Sequence, residues 1–139
     1  HCPFVKAVID RIVRDCRELA VLGVGSVAIM SNDVTVYPED SFANMVLLAR
    51  QLEFPFPYLH DETQSVARAY GAVCTPDFFG YNSRLELRYR GRLDASGRNS
   101  SPPDAPRELF AAMRQIAETG HGPAVQTPSI GCSIKWRET

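Results

Sequence analysis

Charge of one sign is missing from this sequence. Its 139 residues carry fifteen lysines and arginines against sixteen aspartates and glutamates, for a formal net charge of -1. No field of that size draws a polyanion, so nucleic acid is excluded as an expected partner. Lysine is scarce, with only Lys6 and Lys135, and the arginines are scattered rather than gathered into a patch. Long hydrophobic runs are absent too. The longest apolar-rich stretch, Leu19 to Met30, has twelve residues including two glycines, short of the roughly 20 that span a bilayer as a helix. No membrane partner is expected. Four cysteines, Cys2, Cys16, Cys74 and Cys132, are too sparse for a disulfide-scaffolded miniprotein. The histidines His1, His60 and His121 show no ligand spacing with them, so no metal and no other cofactor is expected.

What is present is 45% apolar and has no internal repeat, enough for one domain over residues 1–139 that buries roughly two-thirds of its unfolded surface. Val5, Val8, Ile9, Ile12, Val13, Cys16, Leu19 and Ala20 recur with a helical period, and Asp10, Arg11, Arg14, Asp15, Arg17 and Glu18 lie on the other side. Pro3 suits the first turn of that helix, which sets Cys2 at its N-terminus. Val21 to Met30 reads as a strand buried on both faces. A helix follows from Ser41 to about Gln51, and an extended piece after Pro55 and Pro57 ends at Leu59. Asp61-Glu62-Thr63-Gln64 has the form of a capping box for a short helix with Val66, Ala67 and Tyr70 inward, closed by Gly71. Cys74-Thr75-Pro76 reads as a loop, Asp77–Tyr81 and Leu85–Tyr89 as an antiparallel hairpin with 85, 87 and 89 inward, and residues 95–106 as a surface loop. A last helix from about Asp104 buries Leu109, Phe110, Met113, Ile116 and Ala117 and stops at Gly120. Residues 121–139 form a tail without period. The order is α/β, and a chain opening on a helix before a buried strand implies one further strand upstream.

Cys2 is the sharpest chemical feature. A thiol at a helix N-terminus meets unpaired amide protons and the positive end of the dipole, which favour thiolate. Thr75-Pro76 is the second, because a cis bond there would leave the carbonyl and amide of residue 75 extended beside a thiol, available to an incoming substrate. Asp33 and Asp77 flank strand ends, where turn formation is a sufficient role. Cys16 lies on the apolar stripe and reads as inert core.

The segments His1-Cys2-Pro3-Phe4-Val5-Lys6, Ser31-Asn32-Asp33, Tyr37-Pro38-Glu39-Asp40-Ser41, Phe54 to Leu59, Asp61-Glu62, Cys74 to Phe79 and Ser129 to Trp136 together resemble bacterial thioredoxin-like proteins of the alkyl hydroperoxide reductase and thiol-specific antioxidant (redoxin) superfamily. The resemblance implies a thioredoxin-like fold, with a mixed central sheet and helices on both faces. In that family a C-x-H-C-P segment makes a C-x-x-C pair whose second cysteine matches Cys2. The first cysteine and the N-terminal strand or strands are then expected upstream of this chain, and the isolated chain is expected to fold poorly, to self-associate along an open sheet edge, or to lack a segment that the protein physically carries.

The implied activity is thiol–disulfide exchange or antioxidant redox chemistry through Cys2, with Thr75 and Pro76 aligning the substrate and His1, Cys74 and Cys132 as accessories. Two alternatives stand beside it: a redox-inert thioredoxin-fold module, and a peroxiredoxin-like thiol peroxidase, against which the absence of a T-x-x-C segment argues. For Cys74 and Cys132, a bridge, two separate buried thiols, and a resolving or metal role remain open. Expected partners are a thiol or disulfide substrate, a cellular reductant and a second copy in a homodimer. A cytoplasmic location is expected, with an extracytoplasmic one left open.

Overall fold

The computed structural model describes residues 2–99 and 101–138; the accessory residue His1 lies outside them. Pro3, with no amide proton to leave unpaired, opens α1 (Pro3–Val21), and Cys2 is its N-cap with extended backbone. The apolar stripe buries Val8 and Leu19 in one cluster with Met113, Ile116 and Tyr89, and Val13 is buried as well. The opposite face is not simply solvated. Arg11 pairs with Asp94 at 3.0 Å, and the Asp15 carboxylate, only 1% exposed, is held by Arg14 at 3.0 Å and Arg107 at 2.5 Å. Asp15, expected among solvated residues, is therefore an ion-paired anchor between α1 and the start of the last helix.

The strand expected over Val21 to Met30 is shorter and more open. The helix runs on to Val21, Gly23 turns the chain at φ +83, and only β1 (Ala28–Met30) is strand. Glycine supplies that positive φ without steric cost. β1 is not buried on both faces, since Val27 and Ile29 are exposed. After a 3-10 turn at Pro38–Asp40, α2 (Phe42–Gln51) starts at Ser41, whose hydroxyl accepts from the Asn44 amide. β2 (Tyr58–His60) pairs parallel with β1.

α3 (Ser65–Tyr70) is capped by one half of the expected box. The Asp61 carboxylate accepts from the amides of Val66 and Ala67 at 3.2 and 2.9 Å. Gln64 does not reach back, and its side chain is spent elsewhere. Val66 and Tyr70 are partly exposed rather than inward, while Ala67 is buried.

Cys74-Thr75, expected as loop, is a two-residue strand, β3 (Cys74–Thr75). β4 (Phe78–Tyr81) and β5 (Leu87–Gly91) form the hairpin, with a register irregularity at Gly80/Tyr81. Leu85 has positive φ in the turn and is exposed, as is Leu87, so Tyr89 alone of the expected inward set is buried. Gly80 is pressed so closely onto Met113 that a Cβ there would collide with the thioether. α4 (Glu108–Thr119) buries Leu109, Ala112, Met113 and Ile116 and ends on Gly120 at φ +77.

The expected single mixed sheet is three two-stranded ladders among the described residues: β1 with β2, β4 with β5, and β3 with β6 (Cys132–Ser133). The ladders are joined by the tail, which carries no periodicity because it packs as an extended strap. The Thr127 carbonyl accepts from the Arg92 amide at 3.0 Å. The Gln126 amide group donates to Arg88 O at 2.8 Å and accepts from Arg90 N at 2.9 Å. Further on, Lys135 N donates to Asn32 Oδ1 at 2.9 Å, and Lys135 O accepts from Asp33 N at 2.8 Å. No helix among the described residues is long and apolar enough to cross a membrane.

Candidate active site

Three remote segments meet at the N-terminus of α1: Cys2 itself, Thr75-Pro76 and Cys132. The Cys2 thiol donates to the Thr75 carbonyl at 3.3 Å, and the Thr75–Pro76 peptide bond is cis. Thr75 is not left unpaired, however. It faces Cys132 in the antiparallel β3–β6 register, and its hydroxyl contacts Cys132 O at 3.5 Å. The edge of residue 75 anticipated as open to a substrate is occupied by the protein's own tail. Gly131 makes the approach possible: a Cβ at this position would overlap the Thr75 carbonyl.

Both sulfurs at this junction take amides from the first turn of α1. Burial opposes ionisation of Cys2. Hydrogen bonds from the Cys132 thiol, the Thr75 hydroxyl and the Val5 and Cys132 amides outweigh it, so Cys2 lies below its ordinary value. Cys132 moves the other way. Burial and then its hydrogen bond to Cys2 raise it, and the Phe4 amide only partly compensates. Cys2 is 4% exposed, whereas Cys132 is half-buried.

Cys74 is adjacent but differently placed. Its thiol contacts Pro76 O at 3.6 Å, and burial, then the Asp77 carboxylate, push it up to about 11. All four cysteines are unbridged. Cys74 is in register with Ser133 and Thr75 with Cys132, so by the alternation of a pleated ladder Cys74 and Cys132 leave it on opposite faces. The Cys74–Cys132 bridge is thereby replaced by a contact between Cys132 and Cys2. Cys16 is half-buried on α1; burial raises it, the Ser26 hydrogen bond opposes that, and Asp15 adds to it.

Neither strand-end aspartate bonds the sulfurs: Asp33 accepts from Thr35, and Asp77 from the Val73 amide. Among the described residues no group of three or more His, Cys, Asp or Glu side chains is placed to hold a metal.

The tail residues on either side of Cys132 hold that segment in place and carried only a weak sequence signal. Ser129 Oγ donates to Gly91 O at 2.5 Å and lies 3.0 Å from Asp77 Oδ1. Gln64, 1% exposed, donates to Ser31 O at 2.7 Å and Lys135 O at 2.8 Å and accepts from Arg137 N at 2.9 Å. Ile134 is buried, and Trp136 lies under Arg68 at 4.5 Å. Ordered apolar residues in a segment without period were the available hint.

The sequence model described as the AhpC/TSA family matches residues 1–95, a span that ends before the tail. Among solved structures, an uncharacterized conserved protein from Geobacillus kaustophilus is 50% identical, with a TM-score of 0.90 over 100% of this chain and 74% of that one. A hypothetical protein from Sinorhizobium meliloti 1021 is 35% identical, with a TM-score of 0.89 over 100% of this chain and 76% of that one. No curated protein matches the chain.

Proposed function

The chain belongs to the AhpC/TSA family, whose thioredoxin-like members are redox proteins, and on that premise we propose that it is a thiol–disulfide oxidoreductase acting through Cys2. The observation that carries this reading is the setting of the Cys2 sulfur. It sits at the N-cap of a 19-residue helix, 3.3 Å from the Thr75 carbonyl, with its thiol held below the ordinary range by surrounding donors. Thiolate is the reactive form in disulfide exchange, so the environment favours that chemistry. The substrate is a disulfide or thiol compound, and a cellular thiol reductant regenerates the protein.

The test is the pH dependence of alkylation of the reduced protein by iodoacetamide, with modified peptides assigned by mass spectrometry. A phase on Cys2 with an apparent pKa below that of a free thiol is expected, and it disappears in Cys2→Ser but persists in Cys16→Ser. The low exposure of Cys2 favours a second reading, a redox-inert thioredoxin-fold module. Thiols that stay unmodified until the protein is unfolded establish that reading and overturn the first. Consumption of hydroperoxide faster than of a disulfide substrate by the same protein moves the assignment to a thiol peroxidase.

A further inference from the structure

We infer that Cys132 is the redox partner of Cys2, the sulfur at which a disulfide substrate enters and with which Cys2 closes an intramolecular disulfide. The inference rests on the thiol–disulfide reading above and extends it to the tail. Its basis is geometric. Thr75 accepts from the Cys2 thiol through its carbonyl and faces Cys132 across the β3–β6 ladder, which brings two cysteines 130 positions apart in sequence to one residue. Each thiol is among the groups that shift the ionisation of the other, and closing the ring joins them by an S–S bond of about 2.05 Å.

The strap is built to hold Cys132 there. On one side Ser129 is fixed to Gly91. On the other, Lys135 and Arg137 are bound to Asn32 and to the buried side chain of Gln64. Gly131 contributes the close approach. A tail serving only to cover apolar surface has no need of a cysteine where the strap touches the N-terminus of α1.

Exposure sets the order of events. Cys132 is half-buried and Cys2 is buried. The Cys132 thiolate attacks one sulfur of a substrate disulfide; the substrate S–S bond breaks, and one substrate sulfur leaves and takes up a proton. Cys2, as thiolate, then attacks the Cys132 sulfur of the mixed disulfide. That bond breaks, the second substrate sulfur leaves as a thiol, and the Cys2–Cys132 bond forms. Two protein thiols lose two electrons and two protons, and one substrate disulfide gains them. The lowered pKa of Cys2 suits it to the second attack, which its fixed position makes intramolecular.

The experiment equilibrates the protein in mixtures of reduced and oxidised glutathione, quenches with an alkylating reagent and maps cysteines by mass spectrometry. A Cys2–Cys132 cross-linked peptide is expected, rising in one transition. In Cys2→Ser, Cys132 is expected to accumulate as the mixed disulfide with glutathione. Gly131→Ala retains every thiol but pushes β6 off Thr75, and is expected to lower the equilibrium constant for ring closure at least about tenfold. If Cys2 keeps its low-pKa alkylation phase but cross-links to Cys74, or only glutathionylates to the same extent with and without Cys132, this inference is overturned and the thiol–disulfide reading stands. If that phase is missing, both are overturned.

Discussion

At the scale of single residues, four cysteines of one chemical type occupy four distinct environments, and their titration separates them. Cys2 is driven down despite its burial, whereas Cys16, Cys74 and Cys132 are driven up, Cys74 to about 11 from an ordinary 9.0. The linkage has a definite sign. A thiol whose folded-state pKa is raised stays protonated after the unfolded chain has ionised, so its contribution to stability is complete below pH 9 and is lost as pH climbs from about 9 towards 11. Denaturation midpoints are therefore expected to fall over that interval, and Cys74→Ser is expected to flatten the fall. An unchanged slope in the variant rules out Cys74 as a contributor. Cys2 acts with the opposite sign, its contribution present above the unfolded value and fading as pH drops through its folded one.

At the scale of elements, the junction of α1 and α4 depends on a buried carboxylate rather than on apolar contact alone. Arg107 spans Asp15 and Glu18 and stacks on Phe110 at 4.0 Å. Removing it in Arg107→Ala leaves Asp15 with Arg14 only, and a loss of about 2 kcal/mol in urea denaturation is expected; a change within error shows that Arg14 suffices. Asp15 also marks where local reading ended. The apolar period of α1, Pro3 at its start, Ser41 before α2, and Gly71 and Gly120 at helix ends were legible, because those signals lie within one turn of what they determine. The fate of Val21–Met30 was not, since an apolar run does not reveal that its first half closes a helix and turns at Gly23. Nor was the partner of Cys132. Its proximity to Thr75 in the ladder comes from strand register across 57 positions, and no local pattern encodes register between two-residue strands. The capping box was half legible: Asp61 caps α3, while Gln64 is drawn away by the tail.

At the scale of the whole molecule, the strap over residues 123–137 ties two of the ladders to the loop that follows β1. It runs beside β5 at Gln126 and Thr127, pairs with β3 at Cys132, and ends against the loop after β1 at Asn32 and Asp33. Gln64 is its main clamp, and Gln64→Ala strands the Ser31 carbonyl and the Arg137 amide, while the Lys135 carbonyl keeps its bond from the Asp33 amide, at a cost of about 1–3 kcal/mol. Amide exchange at Arg137 and Ser133 is expected to accelerate well before exchange in α1 and α4; equal acceleration everywhere means that the clamp acts only through global stability. Because Thr75 owes its hydrogen-bonded edge to this strap, proteolytic removal of the chain beyond Gln126 would do more than delete a sulfur. It would bare a row of backbone donors and acceptors, turning a self-contained surface into an adhesive one.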